Sequence, residues 1–277
     1  MAVDADTAAS AVVRPKPLRR SGGAGVGPWL TLASYVSLLV LWIVGAASAP
    51  NLIPGPLETL DFIVREHQRG VLLGHLWVTT QRVLSAFAIG MVAGVAAGAA
   101  MGASKRVDDL LQGWLVVLLT IPRILLFVVA YLTIGLSDRA LVVALVITIV
   151  PTIVVAVREG ARAIDGSLVE MAKAFRRSRT ATWLHVVFPQ LTPYVVGTAR
   201  GALALSWKMV VLGELLGRTS GVGYQISFYF QFFNMTGILA YGVTMMVFLA
   251  LLDLGVMGAL QRVAFRWRAP VKVNAVG

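Results

Sequence analysis

With 277 residues, 58% of them hydrophobic, only 13% charged, and a mean hydropathy of +0.81, the chain falls in the membrane class, since soluble domains carry about 25% charged residues. The absence of cysteine excludes disulfide frameworks, thiolate catalysis and Cys-based metal sites, and His67, His75 and His185 lack ligand spacing, so no metal is expected. The net charge of +11 lies mostly beside apolar spans, where it reads as an orientation signal and not as a nucleic-acid footprint.

Residues 1–26 are polar, Gly/Ala-rich and basic, and read as a disordered cytoplasmic tail. Arg19-Arg20 makes no twin-arginine signal, because an apolar span of full length follows without a cleavage site. A hydrocarbon core of ~30 Å needs about 20 mostly apolar residues per helix. Six stretches qualify: 29–49, 80–103, 113–135, 139–157, 191–213 and 238–261. The expected fold is all-α and integral to the membrane, with a six-helix domain over 27–268 and a C-terminal tail over 269–277. In the second span Gly90, Gly94, Gly98 and Gly102 recur every four residues and share one face, which suits close helix packing.

Two connections are long on one side of the membrane. Between the first spans, Pro54 and Pro56 open a turn, and Leu57, Leu60, Ile63 and Val64 follow at helical spacing. The second, 214–237, carries Phe228, Tyr229, Phe230, Phe232 and Phe233, a cluster that suits the membrane interface. With the N-terminus in the cytoplasm, sixteen Lys/Arg fall on inner segments against four or five on outer ones. That asymmetry puts both termini inside.

The one long polar interruption on the inner side is the loop 158–190. Ser167 with Glu170 three residues on reads as a capping box. Leu168, Met171, Ala172 and Phe175 then give an apolar helical stripe. Ser178 opens a second short helix running towards Val187, and Pro189 marks the turn into the next span. The expectation is two short helices in an L at the membrane surface.

The spacing Glu170-x-Ala172-x-x-x-Arg176, nine residues, then Val186-x-Phe188-Pro189 resembles the EAA loop of binding-protein-dependent ABC importer permeases. Ile53-Pro54-Gly55-Pro56 and Gly221-Val222-Gly223-Tyr224 are similar to the taurine/sulfonate/nitrate branch, and the resemblance spans about residues 50–268. It implies a MetI-like permease domain in a bacterial-type inner membrane, present as two copies with two ATP-binding subunits and an extracytoplasmic substrate-binding protein. Ser167, Glu170, Met171, Ala172, Phe175, Arg176 and Pro189 would shape the helix that docks on the ATPase. No G-x-x-x-x-G-K-[ST] phosphate loop occurs, so the chain is expected to be non-catalytic and cofactor-free, with ATP and Mg on the partner subunits. The sequence departs from the family at Arg176, where the family has Gly, at Met171 in place of the first Ala, at Arg123 in place of Pro, and at Thr133-Ile134-Gly135 in place of Trp-Phe-Gly. An arginine at a φ > 0 position is strained, so the turn at Arg176 is expected to differ or shift by a residue.

Ionisable residues inside spans are costly and default to function. Arg123 falls nine residues into the third span, ~14 Å along a straight helix. Lys208, next to Trp207, and Glu214 lie in the outer part of the fifth. Arg123 and Lys208 either line a path for an anion, snorkel, or pair with Glu214 across a subunit interface. Arg200 and Asp253 lie at equal depth and are expected to pair. The expected cargo is a small anion such as a sulfonate, taurine or nitrate. The competing class is an ion-coupled secondary transporter or channel, which often carries internal repeats; none is seen here. A membrane scaffold without transport leaves the intramembrane charges unexplained.

Overall fold

The computed structural model describes residues 28–50, 52–253 and 255; the tails at 1–26 and 269–277, and the last span beyond 253, lie almost wholly outside them. Residues up to Ala49 and from Pro50 onward form two separate compact units. The first contains α1 (Pro28–Ser48), ~31 Å long at 1.5 Å per residue. Its large apolar side chains, Trp29 to Val44, are mostly exposed, a surface that only lipid or protein can cover.

The second unit begins with α2 (Pro56–Gln68), α3 (Val71–Ala103), α4 (Lys105–Thr120), α5 (Arg123–Ile134) and α6 (Asp138–Arg162). It continues with α7 (Gly166–Ala174), α8 (Arg179–Thr182), α9 (Phe188–Gly217), α10 (Val222–Gln231) and α11 (Met235–Leu252). Five helices, α1 among them, are long and apolar enough to cross a membrane, and the pair α4–α5 makes a sixth if taken as one bent span. The expected straight third span is therefore corrected: its two halves meet at 98°. Pro122 is the cause. It has no N–H to donate and pushes the preceding residue out of the helical region, and Ile121 accordingly sits at φ −61, ψ 129. Arg123 opens α5 at this break, so a depth counted along a straight helix does not apply to it.

The core is a parallel pair, α3 and α6, with α9 antiparallel across them. The four glycines of α3 form the seam. A Cβ on Gly90 or Gly94 would fall 2.5 Å from Ile149 Cδ1 or 2.7 Å from Ile153, and one on Gly102 would strike Ala161. On Gly98 it would meet backbone, 2.8 Å from the Val154 carbonyl oxygen. Small residues at this spacing let two backbones approach where lipid offers no hydrophobic drive. Around the seam Val83, Ala86, Phe127, Leu141, Leu145, Ile149, Ile153, Val157 and Val210 are fully enclosed.

The apolar stripe of α2 is not its packing face. Leu57 is 82% exposed while Thr59 and Glu66 are buried. Tyr241 Oη donates to Glu66 at 3.1 Å, Thr236 Oγ1 donates to Glu58 at 2.8 Å, and Phe62 meets Tyr229 edge-on at 5.4 Å. Polar bonds to α11 thus hold α2 and turn its leucines outward.

Gly98→Ala is expected to destabilise the chain by about 1–3 kcal/mol, because the neighbour it meets is backbone and cannot yield. Gly113→Ala has no atom within 4 Å of the new Cβ and is expected to raise stability through helix propensity. Thermal unfolding of both variants in detergent checks the pair; a neutral Gly98→Ala would refute the seam.

Candidate functional site

Three polar constellations stand out, one at each end of the helical core and one on its flank. At the first end the loop 158–190 folds as α7, a tight turn, and a helix that does not stop. The N-cap of α7 is Asp165 and not Ser167: the Asp165 carboxylate accepts from Ser167 N at 2.9 Å. Asp165 N–H in turn donates to Gln190 Oε1 at 2.9 Å, tying the start of α7 to α9. The helix thus starts two residues earlier than expected, and the predicted Ser167–Glu170 capping box gives way to a simple aspartate N-cap on the N–H groups of the new first turn. The Ser167 hydroxyl bond, then its N–H, hold the Asp165 carboxyl below its ordinary range.

Only Ala172 of the predicted stripe is buried; Leu168, Met171 and Phe175 are exposed, Phe175 by 74%, and Glu170 is exposed as well. Met171 and Phe175 border a cleft of about 520 Å³ with Arg177, Ala181 and His185. The turn after α7 stays at Arg176. Its φ is 50, Arg176 N–H donates to the Lys173 carbonyl at 2.9 Å and Arg177 N–H to that of Ala172 at 3.0 Å. This is the paired bonding of a Schellman cap, kept although the residue is not glycine.

Ser178 caps α8 by accepting from Ala181 N at 3.2 Å. No second turn follows. A π turn at Trp183–Val187 joins α8 to α9, so one helical run covers 179–217. Pro189 sits in its interior and not at a corner. Proline lacks the N–H that an α-turn would need, and the wider turn just before it absorbs the mismatch.

At the root of the loop Asp108, 5% exposed, receives two arginines of α6. Arg158 Nε lies 2.7 Å from its Oδ1 and Arg162 Nη2 2.5 Å from its Oδ2. The start of α4 is thereby locked to the end of α6.

At the opposite end lies a buried hub that sequence reasoning missed. Arg82, 4% exposed, donates to fully buried Glu214 at 2.7 Å, to Asp138 at 2.9 Å, and to the carbonyl and hydroxyl of Ser220 at 2.7 and 2.8 Å. Glu214 also accepts from Thr79 Oγ1 at 2.9 Å and Gly223 N at 2.9 Å. His75 Nδ1 accepts from Gly221 N at 2.9 Å. Glycines are obligatory in the closing turn. Gly221 has φ 104, and a Cβ there would strike the Glu214 carboxylate; one on Gly223 would strike the Val211 carbonyl. The Gly221-Val222-Gly223 stretch is a backbone lid on a carboxylate. Thr79, Arg82, Asp138, Ser220 and Gly223 lie up to 144 positions apart in sequence; Arg82, Asp138 and Glu214 are visible there as charges at the edges of spans and Gly223 as part of a motif, but no local signal links them.

The predicted substrate-path residues do not converge within the chain. Glu214 belongs to the hub, so its carboxylate has no free face for Arg123 or Lys208. Arg123 is exposed at the bend. Trp207, 3% exposed, packs edge-on against Phe248 at 5.4 Å. Lys208 is exposed and lines a cleft of about 280 Å³ with Arg200, Leu203, Leu249 and Asp253. On that cleft Arg200 and Asp253 pair through two bonds of 3.1 and 2.7 Å. Among the described residues no cluster of three His, Cys, Asp or Glu could hold a metal ion.

Glu214→Ala is expected to cost about 3–5 kcal/mol, because it leaves a buried guanidinium short of its counter-ion. Asp138→Ala, at a carboxylate 59% exposed, should cost less, because solvent screens that carboxylate and Glu214 still neutralises Arg82. Thermal unfolding followed by tryptophan fluorescence separates them; equal losses would show that burial does not set the cost. For Asp165, a carboxyl held low in the folded state stabilises above its ordinary range and loses that contribution as pH falls through the lowered value. Amide protection at Ser167 and Leu168 is therefore expected to hold at neutral pH and to fall away below the ordinary carboxylate range. Asp165→Asn should remove that pH dependence while keeping the cap, and hydrogen exchange reads both.

Residues 89–269 match the family model described as the binding-protein-dependent transport system inner membrane component. An ABC transporter permease protein of Brucella melitensis is 24% identical over 84% of this chain and 91% of its own. An Escherichia coli permease protein assigned to aliphatic sulfonates transport is 26% identical over 87% and 92%. A bicarbonate transport system permease protein of Synechococcus elongatus is 24% identical over 78% and 85%. Among solved structures, the MetNI methionine ABC transporter, in inward-facing conformations, aligns with a TM-score of 0.61 at 19% identity, covering 72% of this chain and 98% of that one. The fold is shared, and the chain belongs to the family of binding-protein-dependent inner membrane components, multi-pass ABC importer permeases that leave ATP hydrolysis to a separate subunit.

Proposed function

We propose that two copies of this chain enclose one translocation path for a small anion, which a substrate-binding protein delivers and two ATP-binding subunits drive inward. The observation that supports this reading is mechanical. One uninterrupted helical run, 179–217, starts in the loop and reaches Glu214 in the hub, roughly 58 Å at 1.5 Å per residue. A partner pressing on α7 acts on the root of a lever whose far end is anchored to α3 through Arg82. Rigid helices transmit such displacements because packed cores are bistable and do not deform continuously.

In this reading the loop faces the cytoplasm with both termini, as the excess of Lys/Arg on that side requires. Met171 and Phe175 are exposed because the ATP-binding subunit covers them, with Ser167, Glu170, Ala172, Arg176 and Pro189 shaping the surface it meets. The connections 54–79 and 214–237 face outward and receive the binding protein. The exposed apolar helices contact membrane lipid and the second copy. The chain itself holds no cofactor; ATP and Mg reside on the partner subunits.

Relatives named for sulfonate and bicarbonate transport suggest an anionic cargo. Lys208 suits that role: among the described residues no carboxylate pairs with it, and it borders a cleft whose other cation, Arg200, is already paired with Asp253. Arg123, at the bend of α4–α5, is the second candidate, and Trp207 with its packing fixes the backbone beside Lys208.

Proteoliposomes holding the chain, its ATP-binding subunit and a binding protein are expected to accumulate anions only with ATP; uptake without the ATPase sinks the reading. Lys208→Ala should raise the substrate concentration for half-maximal uptake about 10- to 100-fold, the loss of one charged hydrogen bond. If Lys208→Ala and Arg123→Ala leave uptake of sulfonate, bicarbonate and nitrate unchanged, the anion path lies elsewhere.

A further inference from the structure

Two local rules are broken within four residues between α7 and α8, and both offending residues are arginines. Arg176 holds φ 50, a region that favours glycine. Arg179 is the first residue of α8, where the positive end of the helix dipole repels a cation. Lys173, in the last turn of α7, is placed as the dipole prefers; Arg176 and Arg179 have no such excuse. Arg176, Arg177 and Arg179 are all exposed, and among the described residues none of them pairs with a carboxylate. The only acid between positions 166 and 190 is Glu170.

Beside this cluster stands Phe175, 74% exposed, on a cleft that Arg177 also lines. An exposed aromatic sharing a cleft with a guanidinium, with two further exposed arginines within four positions, has the composition of an interface hot spot. Arginine, unlike lysine, engages a carboxylate through two parallel bonds. Sequences that break local rules without a compensating contact in the chain do so at functional positions.

We infer that Arg176, Arg177 and Arg179 form a guanidinium triad that selects an ATP-binding subunit carrying carboxylates around the groove that receives Phe175. The inference rests on the coupling role proposed for the loop and adds its charge chemistry. Attraction to anionic lipid depends on the number of cations near the surface. It is served as well by residues in relaxed conformations, and so leaves the left-handed Arg176 unexplained.

The test uses the full chain in nanodiscs of neutral lipid, titrated with the purified ATP-binding subunit at low and high salt. Arg176→Gly is expected to raise the melting temperature of the chain yet weaken binding about tenfold. Arg176→Gly with Arg177→Ala and Arg179→Ser should weaken it at least about 100-fold at low salt and flatten the salt dependence. Unchanged or tighter binding by Arg176→Gly overturns the triad. So does a triple variant that keeps its ATP-binding subunit but loses retention on phosphatidylglycerol vesicles. A wild-type chain that binds no ATP-binding subunit overturns the coupling role beneath the proposal, a different result from either.

Discussion

A guanidinium buried at 4% exposure has to be neutralised and hydrogen-bonded on the spot, because the effective desolvation penalty is several kcal/mol per ion. Arg82 of α3 meets that demand only when three other parts of the chain arrive together: Glu214 from the end of α9, Asp138 from the start of α6, and Ser220 from the turn before α10. The pair therefore specifies which helix ends meet more than it adds net stability. Glu214 repeats the logic. Its remaining lone pairs are met by Thr79 and by the Gly223 amide, which requires the glycine turn to close directly over it.

Helix α6 is bound ionically at both ends. Asp138 reaches Arg82 at its start, and Arg158 and Arg162 hold Asp108 at its finish. Between the two locks lies the glycine seam with α3, where side chains meet backbone at van der Waals range and leave no slack. A body fixed at both ends and close-packed between them moves as one piece. The bent pair α4–α5 is attached to α6 by Asp108 at the loop end and to α9 by Phe127 under Gly213 further along, which joins the bend that carries Arg123 to the same packed body.

Several of these features were legible in the sequence because they depend on near neighbours. Apolar length marked the spans and the four-residue glycine period marked the seam, whereas the break at Pro122 went unread within an apolar stretch of full span length, and with it the placement of Arg123. Local chemistry can also mislead by small offsets. Asp165 takes the capping role that Ser167 seemed to fill, because the helix starts two residues earlier and an aspartate caps its first turn as well as a serine would. Pro189 reads as a corner but sits inside a helix, since a π turn relieves the clash. The hub was hidden for another reason: Arg82 and Glu214 are 132 positions apart, and no periodicity links residues that only the tertiary fold brings together.

Rigidity inside the membrane explains why the loop is where local rules fail. Residues of the helical core are bound on all sides, and any strained conformation there would be compounded by lost packing. The 175–179 turn is exposed, closed by backbone bonds that any residue can make, and packed by little beyond Ala172. Its conformational cost is local and stays small, so the surface can vary without disturbing the packed helices behind it. In the coupling role proposed for the loop, a stiff lever with an adaptable contact at its end would let one permease architecture work with a particular motor, and the unfavourable placement of Arg176 and Arg179 is what such tuning would leave in the chain alone.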